Sequence, residues 1–238
     1  MNVKIRQYGE NGILIDWPAV VDAHTLQIIL NVNVAIQDTF SEVLIETVIT
    51  YHTIAVYLKE TASVSLCLKQ LHAFVKTDMA KMDAVKRVIY IPVCYENHFA
   101  LDMALVAEKN KLTSNEIIAL HTASAYPICF LGFLPGFPYL AGLDKKLHTP
   151  RLETPRLRIA AGSVGIGGSQ TGIYPSNSPG GWNIIGKTPL ELFNVTKNPP
   201  NLLKAGDHIQ FESITIVAFE KIKSEIKSGA FQLKFSSL

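Results

Sequence analysis

The sequence predicts an α+β protein of two domains, a helix-on-sheet unit followed by a barrel or sandwich of short strands. Segments with strand periodicity and segments with helical spacing alternate over residues 1–90. After Pro155, short β-like runs lie between turns and no long helical pattern is found. The polar residues 78–86 separate the two parts and are typical of a linker. We therefore expect one domain at residues 1–85 and a second, with leading helices, at residues 86–238.

The first domain is predicted from alternating strand and helix patterns. The turn Gly9–Gly12 favours a hairpin, and apolar residues recur at helical spacing after Asp22, a candidate N-cap. The predicted elements are the strands Val3–Gln7 and Ile13–Asp16, a helix from Asp22 to Ile36, the strands Val43–Ile49 and Ile54–Leu58, a helix from Val64 to Val75, and the strand Val88–Val93. This order indicates a ferredoxin-like split βαβ unit.

The second domain begins with two predicted helices, Ala100–Lys109 and Thr113–Thr122. The second helix opens with a Thr113…Glu116 capping box. The predicted strands that follow are Leu157–Ala160, Ser163–Ile166, Trp182–Ile185, Leu190–Val195, His208–Phe211 and Ile214–Phe219, with a tail strand through Phe231, Leu233 and Phe235 that closes the sheet.

Composition excludes several classes of partner. Lys and Arg total 22 against 20 Asp and Glu, a near balance that gives no electrostatic footprint for nucleic acid or an anionic membrane. The start lacks a signal-peptide core, and no apolar run reaches a membrane span, so we expect a cytoplasmic protein.

Cys67, Cys94 and Cys129 lie far apart without zinc-ligand spacing, which predicts buried free thiols and no metal site.

Residues 132–189 are the stretch most typical of a functional site. Eleven of the 15 glycines and seven of the 12 prolines lie there, among aromatic residues that give the loops apolar mass to bury. Tightly turned loops on a rigid scaffold usually line a site.

One phosphate-binding pattern in this stretch is interpreted as accidental. Residues 181–188, GWNIIGKT, match a P-loop letter for letter. A P-loop follows an apolar strand and opens a helix, whereas Pro179 precedes this segment and Pro189 follows it. We expect a strand with Lys187 at its end.

Three residues are candidates for catalysis: His121, Arg151 and Arg156. The two arginines follow prolines in HTPRLETPRLR, and a held guanidinium fork suits carboxylate or phosphate, although pairing with Glu153 or Asp144 fits equally well. His121 ends the second helix close to the glycine-rich stretch, where the helix dipole favours a protonated ring. Capping of carbonyl groups is the alternative role for His121.

A second set of residues is predicted to bind substrate. Small residues there offer backbone N–H groups for an anion nest, and hydroxyl and amide groups offer neutral donors. The set comprises Gly162, Ser163, Gln170, Tyr174, Ser178, Gly180 and Gly181. The stretch has no Ser–His–Asp order, GxSxG elbow or paired catalytic carboxylates, so we expect the chain to be inactive alone.

At these motifs the sequence resembles a known family. GFLPGFPYLAGLD, TPRLETPR, AGSVGIGGSQTGIYP and SPGGWNIIGKTP are similar to the signature of the B-type subunit of bacterial 5-oxoprolinase, a family also named for the Kip kinase inhibitor and for allophanate hydrolase subunit 1. The likeness is dense over residues 87–220, and YGENGILI extends it toward the start. Residues 95–102 depart from the family's usual run, keeping little beyond Phe99 and Asp102, and Ala160 replaces a usual proline.

The resemblance implies a ferredoxin-like domain followed by a cyclophilin-like β-barrel. It also implies a subunit that, with A-type and C-type partner subunits, cleaves the lactam 5-oxo-L-proline to L-glutamate with ATP. ATP would be used by the complex and is not expected to bind the isolated chain through a P-loop. Two alternatives stay open: a non-enzymatic inhibitor of a sensor histidine kinase, and an amide-handling or carboxyl-transfer half-site of a urea-processing enzyme.

Overall fold

The computed structural model describes residues 3–18, 23–76, 87–96 and 98–237. The chain divides into two units, residues 1–85 and 86–238. The predicted linker, residues 78–86, lies outside the described residues, as does the candidate N-cap Asp22.

The first unit is a four-stranded antiparallel sheet with two helices. Its elements are β1 (Lys4–Tyr8), β2 (Gly12–Asp16), α1 (Ala23–Thr39), β3 (Leu44–Ile49), β4 (Thr53–Leu58) and α2 (Val64–Lys76). The sheet order is β1-β2-β4-β3. Side chains alternate across a strand, so Ile54, Val56 and Leu58 all point into the core with Ile13 and Ile15.

The ferredoxin-like order predicted for this unit is not confirmed. Its last predicted strand, Val88–Val93, lies in β5 (Arg87–Cys94), which belongs to the second unit. β5 is buried along nearly its whole length, and it pairs in parallel with the strand His208–Ile214. A near-continuous apolar run is typical of a strand covered on both faces, which is the environment that a barrel wall with helices outside it provides.

The second unit is a seven-stranded barrel with attached helices. After β5 come α3 (Met103–Asn110), α4 (Ser114–Thr122), β6 (Ala125–Leu131), β7 (Pro138–Leu140), a 3₁₀ turn (Lys145–Leu147), β8 (Arg156–Ile159), β9 (Ser163–Gly167), β10 (Gln170–Ile173), β11 (Ser178–Gly180), β12 (Asn183–Lys187), β13 (His208–Ile214), α5 (Ile216–Ser228) and β14 (Phe235–Ser237). The barrel order is β12-β9-β10-β7-β6-β13-β5, and Lys187 of β12 pairs with Cys94 of β5 to close it. β8 and β11 form a separate two-stranded sheet.

Three predictions for the C-terminal part were wrong. Ile214–Phe219 was expected to be a strand, but α5 begins at Ile216 because Thr215 caps it, its hydroxyl accepting the Ala218 N–H at 3.2 Å. Leu190–Val195 forms no strand beyond an isolated bridge at Phe193. The tail contributes only β14, which extends the edge of β5 rather than closing the barrel.

Two local predictions are confirmed. The Thr113…Glu116 capping box opens α4, with both of its hydrogen bonds formed. Cys67, Cys94 and Cys129 are buried free thiols. Among the described helices, none is long and apolar enough to span a membrane.

Candidate functional site

Five aromatic side chains of the second unit pack around the glycine-rich loops. We call Phe133, Phe137, Tyr139, Tyr174 and Trp182 the aromatic patch. Phe137 is at its centre, with ring centroids 5.3 Å from Tyr174 and 5.4 Å from Trp182, both in edge-to-face contact. Phe133 is 61% exposed and has φ of +67°, an unusual conformation for a bulky residue. Such backbone strain persists where surrounding structure or function requires it.

Glycines make the close packing of this patch possible. A Cβ on Gly167 would lie 2.6 Å from Nε1 of Trp182, and a Cβ on Gly180 would meet the Tyr174 hydroxyl. Contacts that short do not occur between real side chains, so no larger residue fits without displacing a ring. The glycine enrichment predicted to mark a site therefore serves here to seat Trp182 and Tyr174.

Arg151 provides a positive charge at the aromatic patch. Its guanidinium carbon lies 5.9 Å from the Trp182 ring centroid, which is cation–π distance. Within the described ranges no carboxylate lies within 4 Å of it, so the expected pairing with Glu153 or Asp144 is not formed. Burial raises the pKa of Tyr139, and the Arg151 charge partly opposes that shift. Arg151 is thus an exposed cation held against aromatic rings.

Arg156 has a different role from the one predicted. Its two terminal nitrogens donate to the two oxygens of Asp102 at 2.9 and 2.6 Å, a bidentate ion pair. Asp102 is buried and also accepts the backbone N–H of Ile184 at 2.7 Å. Because its fork is occupied, Arg156 cannot form the second arm of an anion clamp. The alternative to a clamp was pairing with Glu153 or Asp144; Arg156 does form an ion pair, but with Asp102.

His121 lies in the barrel core and not beside an open cleft. It is 0% exposed, its Nδ1 is 2.7 Å from the Tyr95 hydroxyl, and its Nε2 is 2.8 Å from Oγ1 of Thr171. Its ring stacks on Phe211 with centroids 4.4 Å apart. Burial lowers the pKa of His121 to about 3, so the ring is neutral and not the protonated cap that the helix dipole suggested. The geometry gives His121 a structural role.

The predicted substrate-binding residues do not converge on one point. Tyr174, Gly180 and Gly181 lie on the aromatic-patch side, where Gly180 pairs with Arg156 across β8 and β11. Gly162 instead lines a separate cavity near Lys187. Ser163 and Gln170 begin β9 and β10, and Ser178 is buried at the start of β11.

The expected anion nest is also not available. The Gly162 N–H donates to the Tyr174 carbonyl at 2.7 Å, the Gly168 N–H to the Thr149 carbonyl at 2.7 Å, and the Ala161 N–H to Oδ1 of Asn177 at 2.9 Å. Backbone donors that already have protein partners cannot bind a ligand without breaking those bonds. The side chain of Arg151 is therefore the better anion-binding element.

The P-loop-like segment is a strand. Asn183–Lys187 forms β12, and its neighbour β9 pairs with it from Asn183 to Lys187. No helix follows Thr188, since Pro189 leads into irregular chain. The described residues contain no group of three or more His, Cys, Asp or Glu side chains that could hold a metal ion.

Sequence reasoning missed two residues of this region. Asp102 fixes Arg156, and its retention in an otherwise divergent loop was the available signal. Trp182 was predicted only to begin a strand, although its ring also contacts the guanidinium of Arg151.

The amino-acid sequence of the chain matches a known protein family. A family model described as carboxyltransferase domain, subdomain C and D, matches residues 3–203. The B-type subunit of 5-oxoprolinase from Bacillus subtilis is 49% identical over 140 residues, 59% of this chain and 58% of that protein. The corresponding B-type subunit from Escherichia coli O157:H7 is 43% identical over 161 residues, 67% of this chain and 73% of that protein.

More distant similarity extends to urea-processing proteins. A putative urea carboxylase of Emericella nidulans is 24% identical over 161 residues, 64% of this chain and 13% of that protein. The crystal structure of Kluyveromyces lactis urea amidolyase superposes with a TM-score of 0.79 at 20% identity, over 99% of this chain and 16% of that one. At that identity the superposition shows a shared fold.

Proposed function

Because the chain belongs to the family of 5-oxoprolinase B-type subunits and carries the carboxyltransferase subdomain C and D region, we propose that it is the B-type component of an ATP-dependent 5-oxoprolinase complex. The complex would open 5-oxo-L-proline to L-glutamate, with A-type and C-type subunits as partners. The match spans 58% of the length of the Bacillus relative and 73% of the Escherichia one. Activity, substrate and partners are therefore all part of the proposal.

The observation that carries the proposal is Arg151 at the aromatic patch. 5-Oxo-L-proline has a carboxylate and a flat lactam ring. A guanidinium without a carboxylate partner among the described residues suits the first, and the exposed ring of Phe133 suits the second. Binding a small ring of this kind typically needs one oriented charge and apolar contacts. Arg151 offers the charge and Phe133 offers exposed apolar surface.

The chemistry explains why the complex would need ATP and partner subunits. A lactam carbon is a poor electrophile, and transfer of the γ-phosphoryl group to the lactam oxygen activates it. Water then adds to that carbon, the C–N bond breaks, and hydrolysis of the resulting acyl phosphate releases glutamate and phosphate. Anionic oxygens develop in these steps, and cations other than Arg151, contributed by the assembled complex, would stabilise them. Burial raises the pKa of Tyr139 and Tyr174, which keeps both phenols protonated at neutral pH, so neither can accept a proton and the general base would come from a partner subunit.

The test is a reconstituted assay with Arg151→Lys. The protein is combined with A-type and C-type subunits, and glutamate release and ADP formation are measured against 5-oxo-L-proline concentration. Lys keeps the charge but loses the fork and the planar stacking on Trp182, so we expect KM to rise about tenfold or more, the value of one charge-assisted hydrogen bond. The single chain should release no glutamate.

Arg158→Lys is the matched control, since Arg158 is exposed on the neighbouring strand β8. It should leave KM unchanged. Unchanged kinetics of an assembled Arg151→Lys complex would exclude the aromatic patch as the substrate site. Glutamate release by the single chain would contradict the requirement for partners.

The urea-processing relatives favour a second candidate, an amide-handling or carboxyl-transfer half-site. The same complex assayed with urea, ATP and bicarbonate distinguishes the two. Turnover of urea without turnover of 5-oxo-L-proline would favour the second candidate. No feature of the described residues singles out a histidine kinase as a partner.

A further inference from the structure

A cavity of about 530 Å³ opens in the second unit, separate from the aromatic patch. No residue of the patch lines it. We call it the lysine cavity, because Lys187 and Lys223 lie in its wall together with Glu191 and Glu220. Phe99, Phe193 and Phe219 supply apolar surface. Its volume lies in the range of small-molecule sites, which is roughly 300–1,000 Å³.

Lys187 is the unneutralised charge of this cavity. Glu191 contacts Nζ of Lys197 at 3.3 Å, and Glu220 contacts Nζ of Lys223 at 3.5 Å, so both carboxylates already face a cation. In the part of the chain that the structure describes, no carboxylate lies within 4 Å of Lys187. Its Nζ lies 5.6 Å from the centroid of the Phe99 ring.

The surroundings of Lys187 make that charge costly. The side chain is half-buried at the end of β12. Burial lowers the pKa of Lys187, the Lys223 charge lowers it further, and Glu220 opposes both. A partly desolvated ammonium without an anion is an unfavourable arrangement that a bound anion would relieve.

The Lys187 side chain packs beside Gly162 in the wall of the cavity. Gly162 has φ of +82°, and a Cβ there would meet the Thr188 carbonyl and lie 3.5 Å from Cγ and Cε of Lys187. The Lys187 stem lies beside Gly162 at ordinary van der Waals distance, and its ammonium lies on the Phe99 side. Lys187 is therefore held by packing rather than extended freely into solvent.

We propose that the lysine cavity binds a small monocarboxylate with a flat apolar body, its carboxylate on Lys187 and its body against Phe99 and Phe219. The charges select a monoanion. Glu191 pairs with Lys197 and Glu220 with Lys223, so the single positive charge of Lys187 is left over, and a dianion such as phosphate would add uncompensated negative charge. The inference does not depend on the proposed function, because it concerns a different set of residues.

Site-resolved acetylation of the full chain tests this site without any mutation. The protein is treated with a limiting amount of a neutral acetylating reagent, with and without benzoate, and acetylation of each lysine is measured by mass spectrometry. With an affinity near 1 mM, about 10 mM benzoate should slow acetylation of Lys187 about tenfold. The exposed Lys109 on α3 should react equally in both samples. Benzamide, which has the same shape and no charge, should not protect.

Variants give an independent measurement. Titration calorimetry should show benzoate affinity reduced at least tenfold in Lys187→Met and unchanged in Lys109→Met, since one charged contact contributes roughly that factor. Absence of protection by benzoate overturns the proposal, and so does equal protection by benzamide. Stronger protection by inorganic phosphate than by benzoate also overturns it, because the site would then select dianions.

Discussion

The buried His121 makes the barrel sensitive to acid. Its ring is neutral in the folded protein because burial lowers its pKa from 6.5 to about 3. In the unfolded chain the same group takes up a proton below pH 6.5. As the pH falls from 6.5 toward 3, the unfolded state therefore binds a proton that the folded state does not, and stability is lost.

The magnitude follows from these two pKa values. One pH unit in this window changes the free energy of unfolding by about 1.4 kcal/mol, and between pH 7 and pH 5 the His121 contribution falls by about 2 kcal/mol. The variant His121→Gln removes the titration while keeping a donor and an acceptor for Tyr95 and Thr171. The loss between pH 7 and pH 5 should then be about 2 kcal/mol smaller in the variant than in the parent.

Urea unfolding followed by tryptophan fluorescence measures this difference. The chain has two tryptophans, and Trp17 lies in the core of the first unit, so a Trp17→Phe background leaves Trp182 as the reporter of the barrel. Carboxylates that also titrate in this window are common to both proteins and cancel in the comparison. Equal pH dependence of parent and variant would refute the reasoning, because it would mean that His121 exchanges no proton on unfolding.

Two further predictions concern stability of the same barrel. Asp102→Asn should lower the free energy of unfolding by about 3 kcal/mol, because it leaves the one-third-exposed Arg156 without its carboxylate. The control is Glu153→Gln, which changes an exposed carboxylate that has no ion pair among the described residues. Equal urea midpoints for the two variants would contradict the role of Asp102. Gly180→Ala should destabilise the barrel by roughly 1–3 kcal/mol and shift Trp182 fluorescence, since the added methyl group meets the Tyr174 hydroxyl. The control is Gly181→Ala, whose methyl group meets nothing nearer than 3.5 Å. Equal thermal midpoints for the two variants would show that the Tyr174 ring moves aside without cost.

The sequence predicted what depends on local periodicity and local hydrogen bonds. Ile54, Val56 and Leu58 alternate along one strand, and all three are buried. The Thr113…Glu116 box needs only residues three apart. The run at β5 was recognised as a strand, but its sheet was assigned wrongly, because periodicity does not say which neighbours a strand takes. Thr215, the cap of α5, was overlooked in favour of the β-branched residues beside it.

The site required information that spacing does not contain. Arg156 pairs with Asp102, which is 54 positions away, and His121 bonds Thr171, which is 50 positions away. Both contacts exist because barrel closure brings distant segments together. Within HTPRLETPRLR the two arginines have the same local context, each following a proline, so no pattern could tell which one was already paired.

What distinguishes the two arginines is the strand that begins between them. Arg156 starts β8, and pairing with Gly180 of β11 holds it where its fork reaches Asp102. Arg151 precedes the strand and lies over Trp182 without a carboxylate among the described residues. Lys187 is in a similar position at the end of β12, over Phe99. The folded chain neutralises Arg156 but leaves Arg151 exposed to solvent beside one ring and Lys187 half-buried beside another. Of these two cations Lys187 is the one that is partly desolvated, and an unpaired charge of that kind is expected where a ligand supplies the missing anion.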